Sequence, residues 1–152
     1  MENTRFDPNA ITISFASNPR YLKLVRSITL QAALCANFCE KLSKDITLAV
    51  DEAITNIIKH SYNGSIDKEI MIRIIFCADK IEIHIRDFGR KVDPETIKPR
   101  SLDEIKPGGL GVFFIKKIMD DVYYDISPDE GTILKLIKYN RNANITDNIG
   151  AL

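Results

Sequence analysis

The sequence predicts an α+β fold: a two-layer α/β sandwich whose mostly antiparallel sheet carries its helices on one face. Three observations predict it. First, IMIRIIFC (70–77) and KIEIHIRD (80–87) form a hairpin around Ala78-Asp79, and VYYDIS (122–127) and TILKLIKY (132–139) form another around Pro128-Asp129-Glu130-Gly131. Second, Ile81, Ile83 and Ile85 point one way and Glu82, His84 and Arg86 the other, so one sheet face is apolar and the other polar. Third, the order is strand, helix, helix, hairpin, loop, helix, hairpin, in which no Rossmann-like alternation is seen.

The elements follow in order. Ile11, Ile13 and Phe15 alternate with polar residues, the pattern of a short strand. Asn18-Pro19 reads as N-cap and first helical residue. Leu22, Val25, Thr29, Ala32, Ala36 and Cys39 then give the first helix one apolar stripe. A second helix follows, with Ser43 as its expected cap. Its buried face is Ile46, Val50, Ala53, Ile54, Ile57 and Ile58, and Asn63-Gly64 is its left-handed stop. After the first hairpin, residues 88–108 carry three prolines, many charges and little periodicity, and read as a long loop of the kind that forms lids. Helical spacing returns from Leu110 to Asp121, followed by the second hairpin. The segment 140–152 is polar and is expected to fray.

The 152 residues fit a single domain, 1–152, with its core at about 10–140. Lysine and arginine number 21, as do aspartate and glutamate, so no whole-protein field draws the chain to nucleic acid or membrane. Any phosphate recognition must therefore be local. The N-terminal residues hold no apolar signal segment and no apolar run reaches spanning length, which points to the cytoplasm. The three cysteines, Cys35, Cys39 and Cys77, have no framework spacing and read as free thiols. Cys35 and Cys39 lie four apart on one predicted helix face. With no second Cys or His pair to complete a metal site, they read as buried small hydrophobes.

Four short segments carry chemistry. Glu52 and Asn56 share a helix face distinct from the apolar stripe; alone, such a pair is more often a solvated face than a site. Asp87-Phe88-Gly89 ends a strand where the long loop begins. It is not the protein-kinase tripeptide, because no VAIK-type strand, HRD loop or phosphate-covering glycine loop accompanies it. Gly108-Gly109-Leu110-Gly111 enters the third helix, where small residues let backbone N–H groups and the positive helix end approach phosphate. No Lys-Ser or Lys-Thr follows, so it is not a Walker loop. Gly131-Thr132 opens the last strand and by itself is hairpin chemistry.

In order and spacing these segments resemble the GHKL (Bergerat-fold) ATPases. LAVDEAITNIIKH (48–60) is similar to their N box, DFG (87–89) to the G1 box, GGLGVFFIKKIMD (108–120) to the G2 box and EGT (130–132) to the last. The combination of VDEAxTNxxxH with GGLGxxxIKKxMD resembles the anti-sigma-factor serine kinases most closely. The resemblance covers about residues 10–140. It implies ATP and Mg²⁺ as cofactors, with Asn56 as the metal ligand and Glu52 as the base for the attacking hydroxyl. It further implies Asp87 as acceptor for the adenine amino group, with Gly89 making room for the base. Gly108, Gly109, Leu110 and Gly111 would bring backbone to the phosphates, with Lys106 beside them as a point charge, and Thr132 would support Asp87.

The chain departs from that pattern twice. Lys106-Pro107 stands where the kinases carry an arginine, and the G1 box lacks a second glycine, with Arg90-Lys91 nearby. Both departures bear on catalytic rate more than on nucleotide binding. The implied activity is phosphorylation of an anti-sigma-factor antagonist protein, with sigma-factor capture as a second activity and a homodimer as the assembly. The competing reading is a nucleotide-dependent binding module without phosphotransfer. A histidine-kinase catalytic domain is set aside: the only histidines, His60 and His84, both read as satisfied structural residues.

Overall fold

A computed structural model describes residues 6–91 and 110–141. Strand β1 (Ala10–Ala16) is followed by a 3-10 turn (Pro19–Tyr21) and helices α1 (Leu22–Cys35) and α2 (Glu40–Asn56), the latter prolonged by a π turn (Ile57–Ser61). Strands β2 (Glu69–Phe76) and β3 (Lys80–Asp87), helix α3 (Leu110–Ile118) and strands β4 (Asp121–Asp125) and β5 (Thr132–Tyr139) complete it. The expected order of elements is thus the observed one. The five strands form one sheet in the order β1-β2-β3-β5-β4, and every neighbouring pair is antiparallel.

Isoleucine builds the core. Ile70, Ile72 and Ile74 of β2 and Ile81, Ile83 and Ile85 of β3 are all buried, in register with Leu134 and Leu136 of β5. β-Branched side chains suit a pleated strand, and each such burial contributes about 1.5–3 kcal/mol. Against them pack Ile46, Val50, Ala53, Ile54 and Ile57 from α2, Val25, Ala32 and Ala33 from α1, and Ile115 and Met119 at the α3 end. The opposite sheet face mixes charged residues with Ile75, Ile133 and Ile137. One row across it runs Thr12, Arg73, His84, Lys135 and Tyr123, on five adjacent strands. Asp7 pairs with Arg73 at 2.7 Å, Glu82 contacts both Lys80 and His84, and Asp125 pairs with Lys135 at 2.8 Å. No described helix is long and apolar enough to cross a membrane.

The helix boundaries correct the sequence reading. α1 stops at Cys35 because Asn37 turns left-handed (φ 62°), and Phe38 donates to Ala33 O while Asn37 donates to Leu34 O. This is a Schellman ending, with Phe38 buried behind it. Cys39 is therefore not on the α1 stripe; it is the extended N-cap of α2, which starts before the expected cap Ser43. Ser43 instead lies buried inside the helix, its hydroxyl donating to Phe38 O at 3.4 Å. All three cysteines are free and exposed, so Cys35 and Cys39 are not the buried small hydrophobes expected of them; the turn has taken Cys39 off the α1 stripe. α3 ends at Ile118, so that Asp121 already belongs to β4. Asn140 is not frayed: its N–H donates to Asp79 O at 2.7 Å and its side-chain amide to Ala36 O and Asn37 O. His60 is exposed, whereas His84 lies half-buried, 3.2 Å from Glu82.

Candidate functional site

The site is built where the C-terminal end of α2, the start of α3 and the ends of β3 and β5 meet. Glu52 and Asn56 occupy the last turns of α2, partly exposed, while Ala53, Ile54 and Ile57 on the other side of the helix are buried. Gly111, in the first turn of α3, lies against both. A β-carbon added there would stand 2.6 Å from Oε2 of Glu52 and 3.5 Å from Nδ2 of Asn56. The first turn of α3, the positive end of its dipole, is thereby held beside one carboxylate and one amide. At the neighbouring position Asp51 takes both donors of Arg26, at 2.8 and 2.9 Å, which ties α1 to α2.

Asp87 ends β3 on the helix side of the sheet, opposite Thr132 of β5, and both are only 2% exposed. Burial pushes the Asp87 carboxyl above its usual range, and the Gly89 N–H, which donates to its Oδ1 at 2.9 Å, draws it partly back. A carboxylate in this position is desolvated and aimed at the space between sheet and helices, where a single donor would be strongly favoured. Two glycines hold it close to its neighbours. At Gly89 an added β-carbon would meet Ser61 O at 2.8 Å and Tyr62 Cδ1 at 3.1 Å. At Gly131, which also has φ 71°, it would fall 1.8 Å from Asp87 O.

Tyr62 is the residue that sequence reasoning missed. Its ring is buried, and its hydroxyl donates to Glu69 O while accepting the Phe88 N–H at 2.7 Å. The available signal was weak, a lone tyrosine between Lys59-His60-Ser61 and Asn63-Gly64; only its burial shows that the phenol needs hydrogen-bond partners. Phe88 is covered in turn by the Arg86 guanidinium, 4.7 Å from its ring centre.

Of the sequence-predicted residues, Glu52, Asn56 and Gly111 come together in one group and Asp87, Gly89 and Thr132 in another. Leu110 opens α3. Lys106, Gly108 and Gly109 lie outside the described residues, as does most of the expected lid. The donor chemistry suits magnesium, a hard ion that takes one or two protein oxygens and completes its shell with phosphate and water. Among the described residues no three His, Cys, Asp or Glu side chains gather into an all-protein cage.

Comparison with known proteins identifies the family of the chain. The model of the histidine kinase-like ATPase domain matches residues 15–138. The serine-protein kinase RsbW of Listeria monocytogenes is 35% identical over 148 residues, covering 91% of this chain and 92% of the relative. RsbW of Oceanobacillus iheyensis is 32% identical over 137 residues, 85% of each chain, and that of Bacillus pumilus 26% over 139. A match over most of the chain, on the segments that build the two residue groups, makes this protein a member of the histidine kinase-like ATPase family, among the relatives of the RsbW serine-protein kinases.

Proposed function

We propose that the protein is an ATP-dependent serine kinase that phosphorylates an anti-sigma-factor antagonist protein and also captures a sigma factor. The observation that carries this reading is the contact of Gly111 with Glu52 and Asn56, which sets a potential base and a potential metal ligand at a helix N-terminus suited to phosphate. Asn56 would hold Mg²⁺, and Asp87 would accept the adenine amino group with Thr132 beside it. Gly108, Gly109, Leu110, Gly111 and Lys106 would face the phosphates, and residues 88–108 would serve as the lid. When bound, the metal would neutralise the charge that develops on the transferred phosphoryl group.

The protein's own contribution is positioning. Glu52 takes the proton from the attacking serine hydroxyl, and the Asp87 carboxylate selects adenine because guanine offers an oxygen where adenine offers a donor. A homodimer in the cytoplasm is part of the proposal. The uncovered sheet face, with exposed Tyr123 among half-buried Ile75, Ile133 and Ile137, supports the assembly. The RsbW relatives favour catalysis over a binding module without phosphotransfer.

The decisive experiment incubates the chain with Mg-ATP and a cognate antagonist. Phosphoserine is expected, and Glu52→Gln is expected to abolish it while ATP binding persists. Transfer that survives the substitution would remove Glu52 from the mechanism. Binding itself is read from melting: at a hundred times its dissociation constant, Mg-ATP stabilises the fold by about 2.7 kcal/mol, and GTP by much less.

A further inference from the structure

Strands β2 and β3 pair in register up to Ile70 and Asp87, so the next rung would join Glu69 to Phe88. That rung is not direct. The hydroxyl of Tyr62 stands in it, donating to Glu69 O and accepting from Phe88 N at 2.7 Å. β2 and β3 are therefore spread apart by one hydroxyl at the point where Asp87 gives way to Gly89.

The π turn explains how Tyr62 reaches this place. Residues Ile57–Ser61 insert a wider turn after Asn56, and Tyr62 N donates to Ile57 O, five residues back. An uninterrupted α-helix would carry position 62 round the helix by a different angle. The π turn brings both the ring and its own backbone against the strand end: a β-carbon added at position 89 would meet Ser61 O at 2.8 Å and the Tyr62 ring at 3.1 Å.

We propose that Tyr62 is a positioning residue for nucleotide selection: its hydroxyl, wedged into the β2–β3 ladder, sets the Asp87–Gly89 backbone so that the Asp87 carboxylate meets the adenine amino group. This rests on the reading of Asp87 given above. It also links the two residue groups mechanically, since one five-residue turn joins Asn56 to the tyrosine that holds the Asp87 segment.

The test compares ATP with ITP, which carries an oxygen in place of the 6-amino group, by calorimetry on the full chain with magnesium. Tyr62→Phe keeps the ring and removes only the hydroxyl. It is expected to weaken ATP binding by about tenfold and ITP binding by no more than about twofold, so that discrimination falls. Equal loss for both nucleotides means a purely structural role, and no loss means no role; either overturns the proposal. Asp87→Asn separates the two levels. If it leaves the ATP/ITP ratio unchanged, the adenine reading itself fails. If it collapses the ratio while Tyr62→Phe preserves it, only the tyrosine proposal falls. Should Tyr62→Phe fail to fold, amide exchange in the unaltered protein decides: the Phe88 N–H is expected to be protected and to exchange more slowly with ATP. Exchange at the rate of a free amide, or a rate that ATP leaves unchanged, overturns the proposal.

Discussion

Glu52 and Gly111 are in contact across two helices: a β-carbon at position 111 would lie 2.6 Å from Glu52 Oε2. Nothing larger than hydrogen fits unless the carboxylate moves. The obstacle is the end of a flexible side chain, so the fold can yield at little cost, whereas the base proposed at Glu52 would lose its position. Gly111→Ala is accordingly expected to keep its melting temperature, while phosphotransfer falls on the order of a hundredfold through displacement of Glu52. Equal turnover in the two proteins would show that Glu52 needs no fixed position.

Gly131 makes the opposite case. There the obstacle is backbone, Asp87 O at 1.8 Å, and the residue sits at φ 71°. Gly131→Ala must both strain its own backbone and push β3 aside, at a combined cost of about 3–5 kcal/mol. Urea denaturation measures it; an unchanged midpoint would contradict the close packing of the β5 entry against Asp87.

In the role proposed for it, Asp87 would place selectivity and stability in conflict. Its carboxyl titrates above the ordinary range because burial disfavours the charge. Between the ordinary and the raised pKa the folded state binds more protons than the unfolded state, so stability falls as pH rises through that window. At neutral pH the ionised group is a cost, and Asp87→Asn is expected to raise the urea midpoint of the nucleotide-free protein. The same substitution should weaken ATP binding by about 10- to 100-fold. A lower midpoint at neutral pH would refute the burial argument, and unchanged ATP affinity would refute the adenine contact.

On the opposite sheet face, burial lowers the pKa of His84, with Lys135 and Arg73 acting in the same direction and Glu82 against them. The unfolded chain then binds more protons than the folded one between the lowered and the ordinary value, about 6.5. Stability contributed by neutral His84 is present above that value and is lost as pH falls through the window. His84→Gln should flatten this part of the pH–stability curve, and the imidazole proton resonance should titrate below the ordinary midpoint. An imidazole midpoint above the ordinary value would mean that Glu82 dominates.

The strands were legible because isoleucine at every second position states both the conformation and the buried face, and β5 runs over Thr132–Tyr139 as its pattern implies. The Glu52–Asn56 pair was legible through the helical repeat, and Gly111 through its place at a helix entry. The limits of α1 and α2 were less so. Cys39 continues the apolar spacing of α1, yet left-handed Asn37 had already ended that helix, and a helix stop outweighs one more residue of periodicity.

By itself the sequence determined the order of elements, the apolar face of each and the four segments that carry polar chemistry, since these depend on neighbours within a few residues. Only tertiary structure decided which segments meet. The contact of Gly111 with Glu52, of Gly131 with the Asp87 carbonyl, and the hydroxyl of Tyr62 between Glu69 and Phe88 join residues 7 to 59 positions apart. Such contacts leave no period in the chain. They arise because close packing brings distant backbone within a few ångströms, where a missing β-carbon or one buried hydroxyl sets the geometry.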